Sequence, residues 1–235
     1  RQHGGISRAV YHGLSFGYGR AAHDRAGRAY RWPYGARVAG SGPQNHVYIV
    51  APIALLHGLS GVPYNSAVFI NSDGTVQGSF DKVHLWALER FYFRAGHEFP
   101  VFDTNSAKSA LWCAMTWASP RQRARCAEGA ELIVCPSAWC VQDKDVWEIN
   151  APARALENTV FLGAVNRFGH EGDDLYMHGG SMVCGPRGGK MCQMTEEVEG
   201  ILYADLDFDE VRKNRVTSPY LRDRRADAYG EVCAY

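Results

Sequence analysis

Apolar runs bounded by turn residues recur along this chain from Val47 onward, and they predict its strands. Val47–Ala51 reads as a buried strand and Tyr64–Ile70 as a second. Asn71-Ser72-Asp73-Gly74 supplies the turn of a hairpin that returns through Thr75-Val76. Gly129–Trp139 holds a short strand expected to end at Pro136, and Val146–Asn158 has helical spacing. Val160–Asn166 reads as a core strand, Gly179–Val183 opens another, Gly185–Gly189 is a turn, and Ile201–Asp207 is the last strand. Strands alternating with helical segments imply an α/β fold. Two stretches break the pattern. Residues 1–45 alternate Arg, Gly, Ala, His and Tyr with neither period, too long for a surface loop. They are expected to contribute no regular element. Residues 105–127 lose the pattern again.

Composition narrows the classes. A chain of 235 residues forms one large domain, 1–235, that buries roughly 70–75% of its unfolded surface. Apolar residues are 46% and charged residues 21%, a globular profile. Lys+Arg and Asp+Glu both total 25, so charge argues for neither nucleic acid nor an anionic membrane as partner. No apolar run approaches the roughly 18 residues of a membrane span and nothing reads as a signal peptide, so a cytoplasmic location is expected. Seven cysteines without a CxxC pair read as reduced, buried thiols rather than a metal site. The first residue is Arg1, so an N-terminally truncated chain is expected.

The chemistry concentrates in Gly78–Phe91, where Lys82 stands at a strand end and Glu89 follows seven residues later. This segment resembles the catalytic-lysine segment of the carbon–nitrogen hydrolase (nitrilase) family, K-x-H-L-x-x-x-E. Further matches fall in the family's order: Tyr64-Asn65-Ser66-Ala67, Phe99–Thr104, Ala153–Asn158, Gly179-Gly180-Ser181, Ala204–Asp207 and Asp223–Tyr229. The resemblance covers roughly residues 46–105 and 128–230. It implies a four-layer α-β-β-α sandwich that forms a homodimer or higher homo-oligomer, and it implies no metal and no organic cofactor.

The family uses Glu, Lys and Cys, and only the Lys stands in place. Counting back from Pro120 puts the nucleophile at Ala114, with Cys113 one residue off, and no glutamate segment of the family type occurs in residues 1–45. The genetic code suggests why. Trp112–Pro120 must be encoded by TGG TGY GCN ATG ACN TGG GCN TCN CCN. Read from two bases later, that DNA permits Val-Cys-Tyr-Asp-Leu-Gly-Phe-Pro, then Glu if Arg121 is AGR. Val, Asp and Gly are forced, and the product is the family's nucleophile segment. A shift of one base over Gly4–Leu14 permits Val-Val-Phe-Pro-Glu-Leu-x-Thr-Thr-Gly-Tyr, the family's glutamate segment. Both stretches, about 1–45 and 107–127, therefore read as frame-shifted.

The resemblance implies a small amide, N-carbamoyl or nitrile substrate attacked by a thiolate, with a glutamate as general base. Lys82 and the main-chain N–H of Met115 would hold the oxyanion, and Glu89 would keep Lys82 charged and aimed. Trp139 would wall the pocket or fill core. The bland alternatives are a solvated Lys82, an exposed helix-face Glu89, core or rim roles for His84 and His178, and a structural Arg154–Glu157 pair. The literal chain is expected to be impaired, since Cys113 displaced by one residue would face the wrong way. The competing reading is a catalytically dead relative kept as a binding or oligomer-forming subunit.

Overall fold

The computed structural model describes residues 7–12, 46–57, 61–111, 129–171, 175–195, 198–223 and 225–229. At its centre lie two parallel strands, β7 (Leu132–Ser137) and β8 (Phe161–Asn166), paired from Leu132↔Phe161 to Ser137↔Asn166. Every residue of β8 is buried. On one side β6 (Lys108–Leu111) runs parallel to β7, and β5 (Val101–Asp103) closes that edge antiparallel. On the other, β11 (Met182–Cys184) and β12 (Lys190–Gln193) complete the six-stranded sheet. A second sheet is the meander β2 (Ile49–Leu56), β3 (Pro63–Ile70) and β4 (Val76–Asp81). β1 (Ser7–His12) pairs antiparallel with β13 (Ile201–Leu206), and β9 (Phe168–Glu171) forms a hairpin with β10 (Leu175–His178).

The period-2 alternation of β7 and its neighbours gives the sheet two different faces. Ile133, Cys135, Leu162, Ala164, Met182 and Cys184 face helix α2 (Lys144–Asn158), which buries Trp147, Ala151 and Ala155 at intervals of four against them. Val134 points the opposite way, into Ala67, Phe69, Phe80 and Phe102 of the second sheet's interface. Phe161 and Val183 also face that way and meet Leu206, Phe208 and Val211, the last on helix α3 (Asp209–Thr217). Helix, sheet and sheet therefore stack in that order. The Phe69 and Phe102 rings stack at 4.8 Å between the sheets. A Cβ at Gly78 would meet the Phe102 ring at 2.8 Å, so the close approach needs glycine there.

Several expectations shift. β2 begins at Ile49 and continues to Leu56, because it pairs along its whole length with β3. β7 passes through Pro136 to Ser137, because its parallel pairing with β8 continues through Pro136↔Val165 to Ser137↔Asn166. The patternless stretch contains β6, a strand placed by main-chain pairing on both its edges. Residues 1–45, expected to supply no element, hold β1, whose backbone pairs with β13 independently of side-chain pattern. β11 starts only at Met182, because Gly179 and Gly180 both take left-handed φ values, 68° and 67°.

Candidate active site

The hairpin from β3 into β4 is set by Asn71–Thr75, where Asp73 accepts from both the N–H and the hydroxyl of Thr75. It delivers Lys82 one residue beyond β4, and there the backbone is held twice. Lys82 N–H donates to Asn65 O at 2.8 Å, and Gly96 N–H donates to Lys82 O at 3.0 Å. Gly96 is packed so tightly that a Cβ there would meet Asp81 O at 2.3 Å. The preceding carboxylate is also tied down: Ser66 Oγ donates to Asp81 Oδ1 at 2.6 Å and His57 Nε2 lies 2.9 Å from Oδ2.

Lys82 is 3% exposed. An ammonium at that depth needs a partner, and it has one. Nζ donates to both Glu89 oxygens, at 2.7 and 3.0 Å. Glu89 opens a single helical turn, α1 (Glu89–Tyr92), and its carboxylate accepts two more bonds, from Asn65 Nδ2 at 3.0 Å and Trp86 N–H at 2.7 Å. Ala87 takes φ +41° to let the chain turn between Trp86 and Glu89. A side chain at positive φ costs about 1–3 kcal/mol and persists where surroundings over-determine it. Asn65 holds both members of the pair, one by its carbonyl and the other by its amide. Sequence reasoning assigned it no role, although it lies in the Tyr64–Ala67 match.

Parallel strands β6, β7 and β8 end at the same edge of their sheet, where α/β proteins place ligands. Ala114, Cys113 and Met115 follow β6 in sequence and lie outside the described residues, as does most of both irregular stretches. Trp139 lies two residues beyond β7, 8% exposed, with its ring in the α2 core 5.9 Å from that of Trp147. Its main chain is bound to Asn166, the last residue of β8. Arg154 and Glu157 pair at 2.5 Å within α2, both largely buried. His178 is 2% exposed against Trp147, a core position. Partial burial pushes the His84 imidazole below its ordinary range. Cys135 and Cys184 are buried thiols outside any disulfide, and burial pushes Cys184 up to about 12.

Comparison with known proteins covers most of the chain. The family model described as carbon–nitrogen hydrolase matches residues 15–216. A probable nitrilase of Schizosaccharomyces pombe is 32% identical over 83% of this chain and 76% of its own length. The N-carbamoylputrescine amidase of Arabidopsis thaliana is 30% identical over 77% of this chain and 67% of its own. Among solved structures, a carbon–nitrogen hydrolase from Helicobacter pylori G27 aligns at a TM-score of 0.81 with 27% identity, covering 86% of this chain and 76% of that one. An amidase from Nesterenkonia sp. AN1, in a mutant form complexed with butyramide, aligns at 0.74 with 29% identity, covering 85% and 72%. Another mutant of that amidase carries the acetamide moiety of fluoroacetamide covalently at its active-site cysteine. The α/β sandwich seen here is the fold of these proteins.

Proposed function

The chain belongs to the carbon–nitrogen hydrolase family, and on that premise we propose that its parent reaction is thiol-mediated hydrolysis of a small amide, N-carbamoyl or nitrile substrate. The observation that carries this reading is the buried Lys82 ammonium, fixed by Glu89 and Asn65 at the end of β4. In the protein specified by the shifted frame, a cysteine at position 114 attacks the substrate carbon. A glutamate from the amino-terminal stretch takes the thiol proton and passes it to the departing ammonia or amine. Lys82 and the N–H following the cysteine stabilise the oxyanion, and water then hydrolyses the acyl-enzyme. Glu89 acts through Lys82, holding its charge and direction. The carbamoyl and amide substrates in the relatives' names, and the acylated cysteine of the Nesterenkonia amidase, support the same route. The reading includes a homo-oligomer in the cytoplasm, whose size light scattering checks.

The chain as written has Ala114 at the nucleophile's position. Removing a member of such a catalytic unit costs on the order of 10⁴–10⁶ in rate, so the literal chain should show no measurable turnover. The dead-subunit reading draws on one observation: the Lys82–Glu89 pair is complete without a thiol at 114. Sequencing the encoding DNA separates the two, with an assay of the literal and frame-restored chains on small amides, ureas and nitriles. Turnover only in the restored chain supports the proposal. An uninterrupted frame giving Ala114, or a restored chain that hydrolyses none of the panel, overturns it.

A further inference from the structure

At the edge where β6, β7 and β8 all end, one side chain joins two loops. Asn166 is 3% exposed, closes β8, and stands in register with Ser137 at the end of β7. Its Oδ1 accepts from Trp139 N–H at 2.7 Å, while Nδ2 donates to Trp139 O at 3.2 Å and to Gly179 O at 2.7 Å. The amide thus reads both main-chain polar groups of Trp139 and one carbonyl of the Gly179-Gly180 turn. Its own backbone is fixed by Ser181, whose Oγ accepts from Asn166 N–H at 2.9 Å and donates to Asn166 O at 3.3 Å. His178 N–H adds a 3.3 Å bond to Trp139 O, and Trp147 Nε1 donates to Gly180 O at 2.9 Å. Ala138 is exposed beside this clamp and Cys140 half-buried.

We infer that Asn166 is a positioning residue for the substrate wall: it holds residues 138–140 and 179–180 together at the edge where β7 and β8 end, so that this wall stays rigid. The inference rests on the proposed hydrolase reading for what the wall contacts, and on the geometry alone for the clamp. Asn is suited because it supplies an acceptor and two donors in one plane. Asp keeps the shape and the acceptor but loses both donors and faces two carbonyls with charge. Ala loses all three contacts.

Amide hydrogen exchange on the full chain reads the clamp without any turnover. In Asn166→Ala, exchange at Trp139 and His178 should quicken roughly tenfold or more, the loss expected for one buried bond left unmade. In Asn166→Asp, Trp139 N–H should keep its protection while His178 and the Gly179-Gly180 turn lose theirs. Val211→Ala, a core truncation on α3 chosen to match the loss of melting temperature, should leave those positions no faster than the rest. In the frame-restored chain, Asn166→Ala should lower kcat/KM for butyramide about tenfold, mostly through KM. Unchanged exchange at Trp139 in Asn166→Ala, or an equal rise across the whole sheet, overturns the clamp. A fall confined to kcat overturns its role at the wall. A restored parent chain inert on every substrate sinks the hydrolase reading and with it the wall's function, while the exchange data still decide the clamp.

Discussion

Lys82 and Glu89 are unequal partners, and their exposures say which truncation costs more. The Lys82 side chain is 4% exposed and that of Glu89 23%. Glu89→Ala leaves a buried ammonium without its carboxylate, which should cost about 2–4 kcal/mol. Lys82→Met leaves a partly solvated carboxylate still bonded to Asn65 and Trp86 N–H, and should cost about 1 kcal/mol or less. Urea midpoints of the two variants check the order, and a larger loss for Lys82→Met would contradict it. In the frame-restored chain Lys82→Met should also lower kcat by about 10²–10³, the cost of one oxyanion donor. Cys184 carries a second prediction. Its thiol titrates near 12 in the fold against 9.0 for an ordinary cysteine, because burial disfavours the thiolate. The unfolded chain therefore loses its proton first, so the stability this thiol contributes is complete below pH 9 and disappears as pH rises toward 12. Cys184→Ala should flatten the alkaline decline in melting temperature, and an unchanged slope would count against the burial argument.

At the scale of elements, the β4–α1 segment is closed by contacts that no propensity contains. Gly96 returns alongside Lys82, with Asp81 O where its Cβ would be. Gly96→Ala should therefore push the Asp81–Lys82 backbone out of line and destabilise by roughly 1–3 kcal/mol, the range of a forced backbone shift. A calorimetric melt within about 1 °C of the parent would show that the loop yields freely, since 1 kcal/mol moves a chain of this size by about 2–4 °C. About half of the elements were legible: Tyr64–Ile70, the Asn71–Gly74 turn, Val146–Asn158 and Val160–Asn166 all carry a period or a turn signal. β1, β5, β6, β9, β10, β12 and α3 were not. They are short or polar, and pairing or docking places them.

For the whole molecule, helix α2, the six-stranded sheet and the second sheet form the layered core that the family resemblance implied. The carbon–nitrogen hydrolase model spans residues 15–216, and thus runs through the irregular stretch 107–127 and part of 1–45. Intact-mass measurement of the protein made from its native DNA should depart from the 26.1 kDa of this chain if the frame is restored in the cell. A mass equal to that of the literal sequence would favour the dead-subunit reading.

By itself the sequence determined the α/β class, the segment carrying Lys82 and Glu89, and the family, because motif order and apolar runs are properties of the chain alone. It also exposed its own irregular stretches, since apolar periodicity and motif order both fail there. Only the tertiary structure decided that Lys82 is buried, that Asn65 and Glu89 hold it, and that Asn166 joins the Trp139 and Gly179 loops. Those facts depend on hydrogen bonds between residues distant in sequence, whose donors and acceptors meet only when β3 lies against β4 and β8 against β7.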